Sequence, residues 1–187
     1  LCYSLMLSRL IGDIGVSTFS VLSFLYSLAN AILSGVAQGL QPLWGLCYGR
    51  KDTDGMAWYL RSGLVINAVL SVLIYGGLFL FDVPVIRIFN QEPALIQEAS
   101  AALPLFARSF VPMALNLVYT AYFFSTKRTG TANAIAVSRG IVVKALLIFC
   151  LPLLFGTKAI WLAPFVTEAI TLAAAIVLRR TSKLVYR

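Results

Sequence analysis

Val16 to Gly49 reads VSTFSVLSFLYSLANAILSGVAQGLQPLWGLCYG, and its polar residues Ser20, Ser23, Ser27, Asn30, Ser34, Gln38 and Gln41 recur every three or four positions. That period gathers them on one side of a helix. No charged residue falls between Asp13 and Arg50, a run well beyond the roughly 20 residues that cross a bilayer. The stretch is therefore expected to be a spanning helix with a polar stripe. Hydroxyl and amide groups at that depth need protein partners or a wet cavity, because hydrocarbon offers neither donor nor acceptor. The stripe from Ser20 to Asn30 is expected to face the interior of a helical lobe.

The rest of the chain has the same character. Its 187 residues are 60% hydrophobic and 12% charged, with a mean hydropathy of +0.89, whereas about a quarter of a soluble domain is charged. The expected class is an all-α integral membrane protein. The net charge of +8 comes from short basic clusters between apolar runs, the pattern of loops rather than of a continuous nucleic-acid face, so no nucleic-acid partner is expected. Three scattered cysteines and no histidine leave no metal-ligand spacing. The cysteines read as small apolar residues within helices, and no cofactor is expected.

The apolar runs divide into spans at about 1–11 (partial), 16–46, 57–81, 99–124, 133–155 and 159–178, followed by a basic tail at 179–187. Pro104 and Pro112 lie within the 99–124 run and are expected to kink it. Alternation puts the loops at Arg50 and Lys127 and the tail on one side, with Arg50, Lys51, Arg61, Lys127, Arg128, Arg179, Arg180, Lys183 and Arg187; the other side carries Arg9, Arg87 and Lys158. Nine basic residues against three place the loops and the C-terminus in the cytoplasm. The chain opens inside an apolar run, as a fragment that starts within a helix would.

Three motifs occur in order: Ala37-Gln38-Gly39-Leu40-Gln41-Pro42 with Tyr48-Gly49; Tyr122-Phe123-Phe124-Ser125-Thr126 with Ser138-Arg139-Gly140; and Gly156, Ile160-Trp161-Leu162, Pro164 and Glu168. In these the sequence resembles the C-terminal half of the multidrug and toxic compound extrusion (MATE) family. The resemblance implies a six-helix lobe of a twelve-helix transporter with its first helix truncated and its N-terminal lobe absent. It also implies exchange of a drug or metabolite for protons or sodium across the plasma membrane. Partners would be a small organic substrate, the bilayer and the missing lobe. One departure is plain: where the family's C-terminal lobe often places a cation-binding acid in its fourth span, this chain has Arg108.

Six of the seven acids, Asp13, Asp52, Asp54, Asp82, Glu92 and Glu98, lie in or beside loops, and Glu168 alone is deep. An intramembrane carboxylate costs about 2.5 kcal/mol or more to insert and is expected to have a partner inside the bundle. With the last two spans taken as a hairpin, Lys144 is level with Glu168, and Arg139 lies within reach. Such a pair either locks the hairpin or takes part in transport. The stripe likewise admits two roles, helix packing assisted by Gly35 and Gly39, or cavity lining led by Asn30 and Ser34 near mid-membrane. Gln38 and Gln41 then lie toward the cytoplasmic mouth, where Pro42 bends the helix beside a gate. Asn67, Asn116 with Tyr119, and Thr171 are further candidates for the substrate or ion pathway.

Two other functions are compatible with parts of the sequence. A flippase for lipid-linked oligosaccharides, from the same broad superfamily, would use the cations Arg108, Arg139 and Lys144. An intramembrane metal-dependent enzyme would build on Asp52-Thr53-Asp54-Gly55, but it needs a second acidic cluster, and the only other close acids, Glu92 and Glu98, fall on the opposite side. A non-enzymatic transporter is the expected class.

Overall fold

The computed structural model describes residues 2–126, 130 and 143–181, with side chains except those of residues 2, 143–145, 155 and 181. The described residues form eight α-helices: α1 (Cys2–Leu10), α2 (Asp13–Gly49), α3 (Thr53–Leu80), α4 (Asp82–Phe89), α5 (Pro93–Ala107), α6 (Phe110–Ser125), α7 (Val143–Phe155) and α8 (Ala163–Thr181). A 3-10 segment, Thr157–Leu162, leads into α8. Among the described residues, three helical stretches are long and apolar enough to cross a membrane: α2, α3 and Thr157–Arg180. The bent pair α5 and α6 makes a fourth. The expected span at 133–155 falls largely outside the described residues, which take it up at Val143.

Each boundary has a local cause. Gly12 at φ 82 ends α1, a left-handed conformation that glycine adopts without a Cβ clash. Helix α2 closes with the Asp52 N–H donating to the Cys47 carbonyl at 2.9 Å and the Lys51 N–H to that of Tyr48 at 3.2 Å, the two bonds of a Schellman C-cap. Asp52 then caps α3, its side chain accepting from the Gly55 N–H at 2.8 Å. The cap leaves Lys51 at φ 58, where a side chain costs roughly 1 kcal/mol relative to glycine. Lys51→Gly is therefore expected to stabilise the protein by about 1 kcal/mol, and a thermal melt of the detergent-solubilised protein would check it.

The expected kink falls between the two prolines. Helices α5 and α6 meet at 42° across Arg108 and Ser109. Pro112 has no N–H to donate to the carbonyl of residue 108, and its ring crowds that carbonyl. By contrast, helix α2 continues through Pro42.

Helices α2, α3 and α6 pack mutually, and α8 closes against α6. Their buried side chains form two clusters along the bundle. One joins α1, α2, α5, the start of α6 and the 3-10 segment through Leu7, Leu22, Leu33, Leu103, Phe110 and Trp161. The other, toward the Arg50 loop, joins α2, α3, α6 and α8 through Trp44, Met56, Leu60, Phe123 and Ala175. The close helix approach lies at Gly63 of α3, where a Cβ would stand 2.5 Å from the Leu40 methyl and 3.4 Å from Val118. Gly35 and Gly39 face open space, with nothing within 4 Å of a Cβ. Of the two roles open to the stripe, packing assisted by this pair is not seen among the described residues, since both glycines are exposed on α2.

Candidate functional site

Helix α2 has three faces. Leu22, Leu25, Ala29, Leu33, Ala37 and Trp44 are buried against the lobe, while Phe24, Leu28, Ile32 and Leu46 are exposed and apolar. The polar stripe occupies the third. Ser20, Ser27 and Gln38 are exposed, and Asn30, Ser34 and Gln41 are only partly covered. The Ser34 hydroxyl donates to its own helix at the Ala31 carbonyl, 3.0 Å away. The stripe thus faces out of the lobe, contrary to the sequence expectation. The packed face is filled instead by Leu22, Leu25, Leu33 and Trp44, whose bulk interdigitates with the neighbouring helices.

The polar groups inside the lobe come from other positions. Glu168 on α8 is 3% exposed and Asn116 on α6 is fully buried. The Asn116 amide nitrogen donates to the Glu168 carboxyl oxygen Oε2 at 2.8 Å and to the Glu168 backbone carbonyl at 2.9 Å. The other carboxyl oxygen, Oε1, accepts the Tyr26 hydroxyl of α2 at 3.1 Å. Phe106 and Phe110 flank the Tyr26 ring, each centroid 6.1 Å away, and hold the hydroxyl toward α8. One carboxyl group therefore ties three helices, α2, α6 and α8. Thr167 and Thr171, one residue before and three after Glu168, turn their hydroxyls to the Ala163 and Thr167 carbonyls at 2.7 and 2.8 Å. Thr171 is buried but spends its proton within its own helix.

Asn67 of α3, fully buried, makes a second cross-helix tie. Its amide nitrogen donates to the Leu33 carbonyl of α2 at 3.2 Å and to the Ala114 carbonyl of α6 at 3.1 Å. Among the described residues, the side-chain oxygens of Asn67 and Asn116 are buried without a hydrogen-bond partner. Each is an open acceptor inside the lobe.

Of the ten pathway candidates, the structure brings Asn116 to Glu168, places Thr171 a turn away, and sets Asn67 on the other side of α6. Asn30, Ser34, Gln38 and Gln41 are separate from them. Arg139 and the side chain of Lys144, the partners expected for Glu168, lie outside the described residues. Tyr26 was not among the candidates. It stands four residues after Leu22 and three before Ala29 on the buried face of α2, and a phenol on such a face needs a partner for its hydroxyl.

The geometry is that of a helical membrane lobe with a carboxyl group enclosed among three helices. The MatE family model matches residues 1–151. The chain belongs to the MatE family. Consistent with that membership, its fold is similar to the outward-facing conformation of a multidrug resistance MATE family transporter of the MOP superfamily, with a TM-score of 0.89 at 14% identity. The match covers 96% of this MatE chain and 41% of the other; the chain thus spans well under half the length of that transporter. No curated protein matches. Family and fold are thus shared with a transporter.

Proposed function

We propose that this MatE chain forms one lobe of a cation-coupled antiporter that exports drugs or other small organic molecules across the plasma membrane, with the C-terminus in the cytoplasm. The observation that carries the reading is the buried Glu168 carboxyl, which accepts from Tyr26 and Asn116 on two other helices. A carboxyl at that depth is costly even with partners, and such residues mark ion or substrate pathways by default. A proton or sodium ion taken up on Oε1 displaces the Tyr26 hydroxyl as its partner and weakens the tie between α2 and α8. Because α2 also carries the stripe of Asn30, Ser34, Gln38 and Gln41, loading of the carboxyl biases the helix that presents polar groups to the transport path. The cation and the substrate then act on one two-state element, which is what coupling requires.

The test is Glu168→Gln in the full-length protein. The amide keeps the shape and one acceptor but binds no exchangeable cation. Export is expected to fall by roughly two orders of magnitude or to background, consistent with loss of a general acid–base group, while folded yield stays near that of the parent. Normal export would remove Glu168 from the mechanism.

A further inference from the structure

Arg108 occupies the break between α5 and α6 and is exposed. Among the described residues its guanidinium makes no hydrogen bond or ion pair. Roughly 25 Å of helix separates it from Ser125 at about 1.5 Å per residue, which keeps it within or at the margin of a hydrocarbon layer about 30 Å thick. An unpaired guanidinium there is costly. It opens onto a groove of about 470 Å³ between α3, α6 and α8, and its other lining residues include Leu115, Phe165, Leu172, Ala173 and Ile176. Apart from the guanidinium and the Tyr75 hydroxyl, every side chain lining it is apolar.

The groove continues into lipid-facing surface. Tyr75 at its edge stacks on Phe79, with centroids 6.3 Å apart, and Val72 lies one turn the other way; Val72 and Phe79 are 54% and 58% exposed. Residues three and four apart share a helix face, so the groove and the exposed aliphatic side of α3 form one surface. That surface differs from the polar third face of α2, which is the one suited to water or to another lobe. A long apolar channel ending in one unpaired cation fits a molecule with acyl chains and an anionic head.

We infer that the Arg108 groove is a binding site for an anionic glycerophospholipid of the surrounding bilayer, its phosphate on the guanidinium and an acyl chain along Leu115, Leu172 and Ile176. The lipid supplies the counter-charge that the described residues lack, and it fills the gap that the 42° bend opens beside α8. This reading is independent of the transport proposal, since it concerns what solvates the lobe and not what the lobe carries.

The experiment is native mass spectrometry of the full-length protein released from nanodiscs of equal phosphatidylglycerol and phosphatidylcholine. Wild type is expected to retain phosphatidylglycerol about tenfold, or about 1.4 kcal/mol, over phosphatidylcholine, whose phosphate is already neutralised by its own choline cation. Arg108→Gln loses that preference, and Arg108→Lys keeps most of it. Ala173→Trp, at an exposed groove position, fills the channel and lowers retention of both lipids with Arg108 intact, which preserves the test if Arg108→Gln fails to fold. Equal retention of the two lipids by wild type, or unchanged retention by Arg108→Gln and Ala173→Trp, overturns the inference. So does export of an aliphatic carboxylate whose KM rises on Arg108→Gln, which would make the groove a cargo site.

Discussion

Asn116→Leu is expected to destabilise the lobe by about 3 kcal/mol, because it strips two donated bonds from Glu168 at once and leaves a buried carboxyl oxygen facing a methyl group. Neutral interhelical hydrogen bonds in membranes average only about 0.6 kcal/mol. The difference arises from the acceptor. The Asn116 amide contacts both the side-chain carboxyl and the backbone carbonyl of one residue, and Oε2, in a site 3% exposed, is poorly placed to replace that donor with water, while the Tyr26 hydroxyl stays on Oε1. The measure is the unfolding midpoint in detergent for Asn116→Leu, with Asn116→Asp beside it. If the leucine variant melts within the error of wild type, the bond to Glu168 contributes nothing to the fold.

Gly63→Leu is the second large effect, with an expected loss of about 3 kcal/mol or more from overpacking. At this point α3 approaches α2 and α6 most tightly, with the Leu40 methyl and Val118 against the glycine and the Trp44 ring 3.9 Å from a Cβ there. Leu40 sits on a flexible side chain, so Gly63→Ala is expected to cost about 1 kcal/mol through a small rotamer shift. A full leucine must move the helix axis, and that separates Asn67 from the Leu33 and Ala114 carbonyls. Gly35→Leu is the control: its Cβ meets nothing within 4 Å, and it is expected to melt with the wild type.

These two positions show what the sequence disclosed and what it withheld. The apolar runs gave the long helices, and the pair Pro104 and Pro112 gave a bend whose place, Arg108 and Ser109, follows from the carbonyl that Pro112 cannot use. Asn67, Asn116, Glu168 and Thr171 stood out as lone polar residues in apolar surroundings, and all four are buried. The face of α2 that packs was not legible. In a soluble protein the apolar side goes inward, but in a bilayer both sides have an apolar solvent, so periodicity separates the stripe without saying where it points. For the same reason Gly35 and Gly39, in a G-x-x-x-G spacing, looked like a contact, while the solitary Gly63 is the one that makes it. Tyr26 escaped notice because its ring belongs to the apolar pattern and only its hydroxyl to the site.

In the proposed mechanism Glu168 carries the coupling cation and Tyr26 of α2 senses whether it is loaded. The most direct measurement is cation flux driven by substrate in proteoliposomes of the full-length protein, read with a trapped pH indicator and, separately, with radioactive sodium. Wild type is expected to move one of these cations against the substrate. Glu168→Gln is expected to move neither, with substrate binding retained within about tenfold. Substrate-driven cation flux at the wild-type rate in Glu168→Gln would show that another group carries the cation.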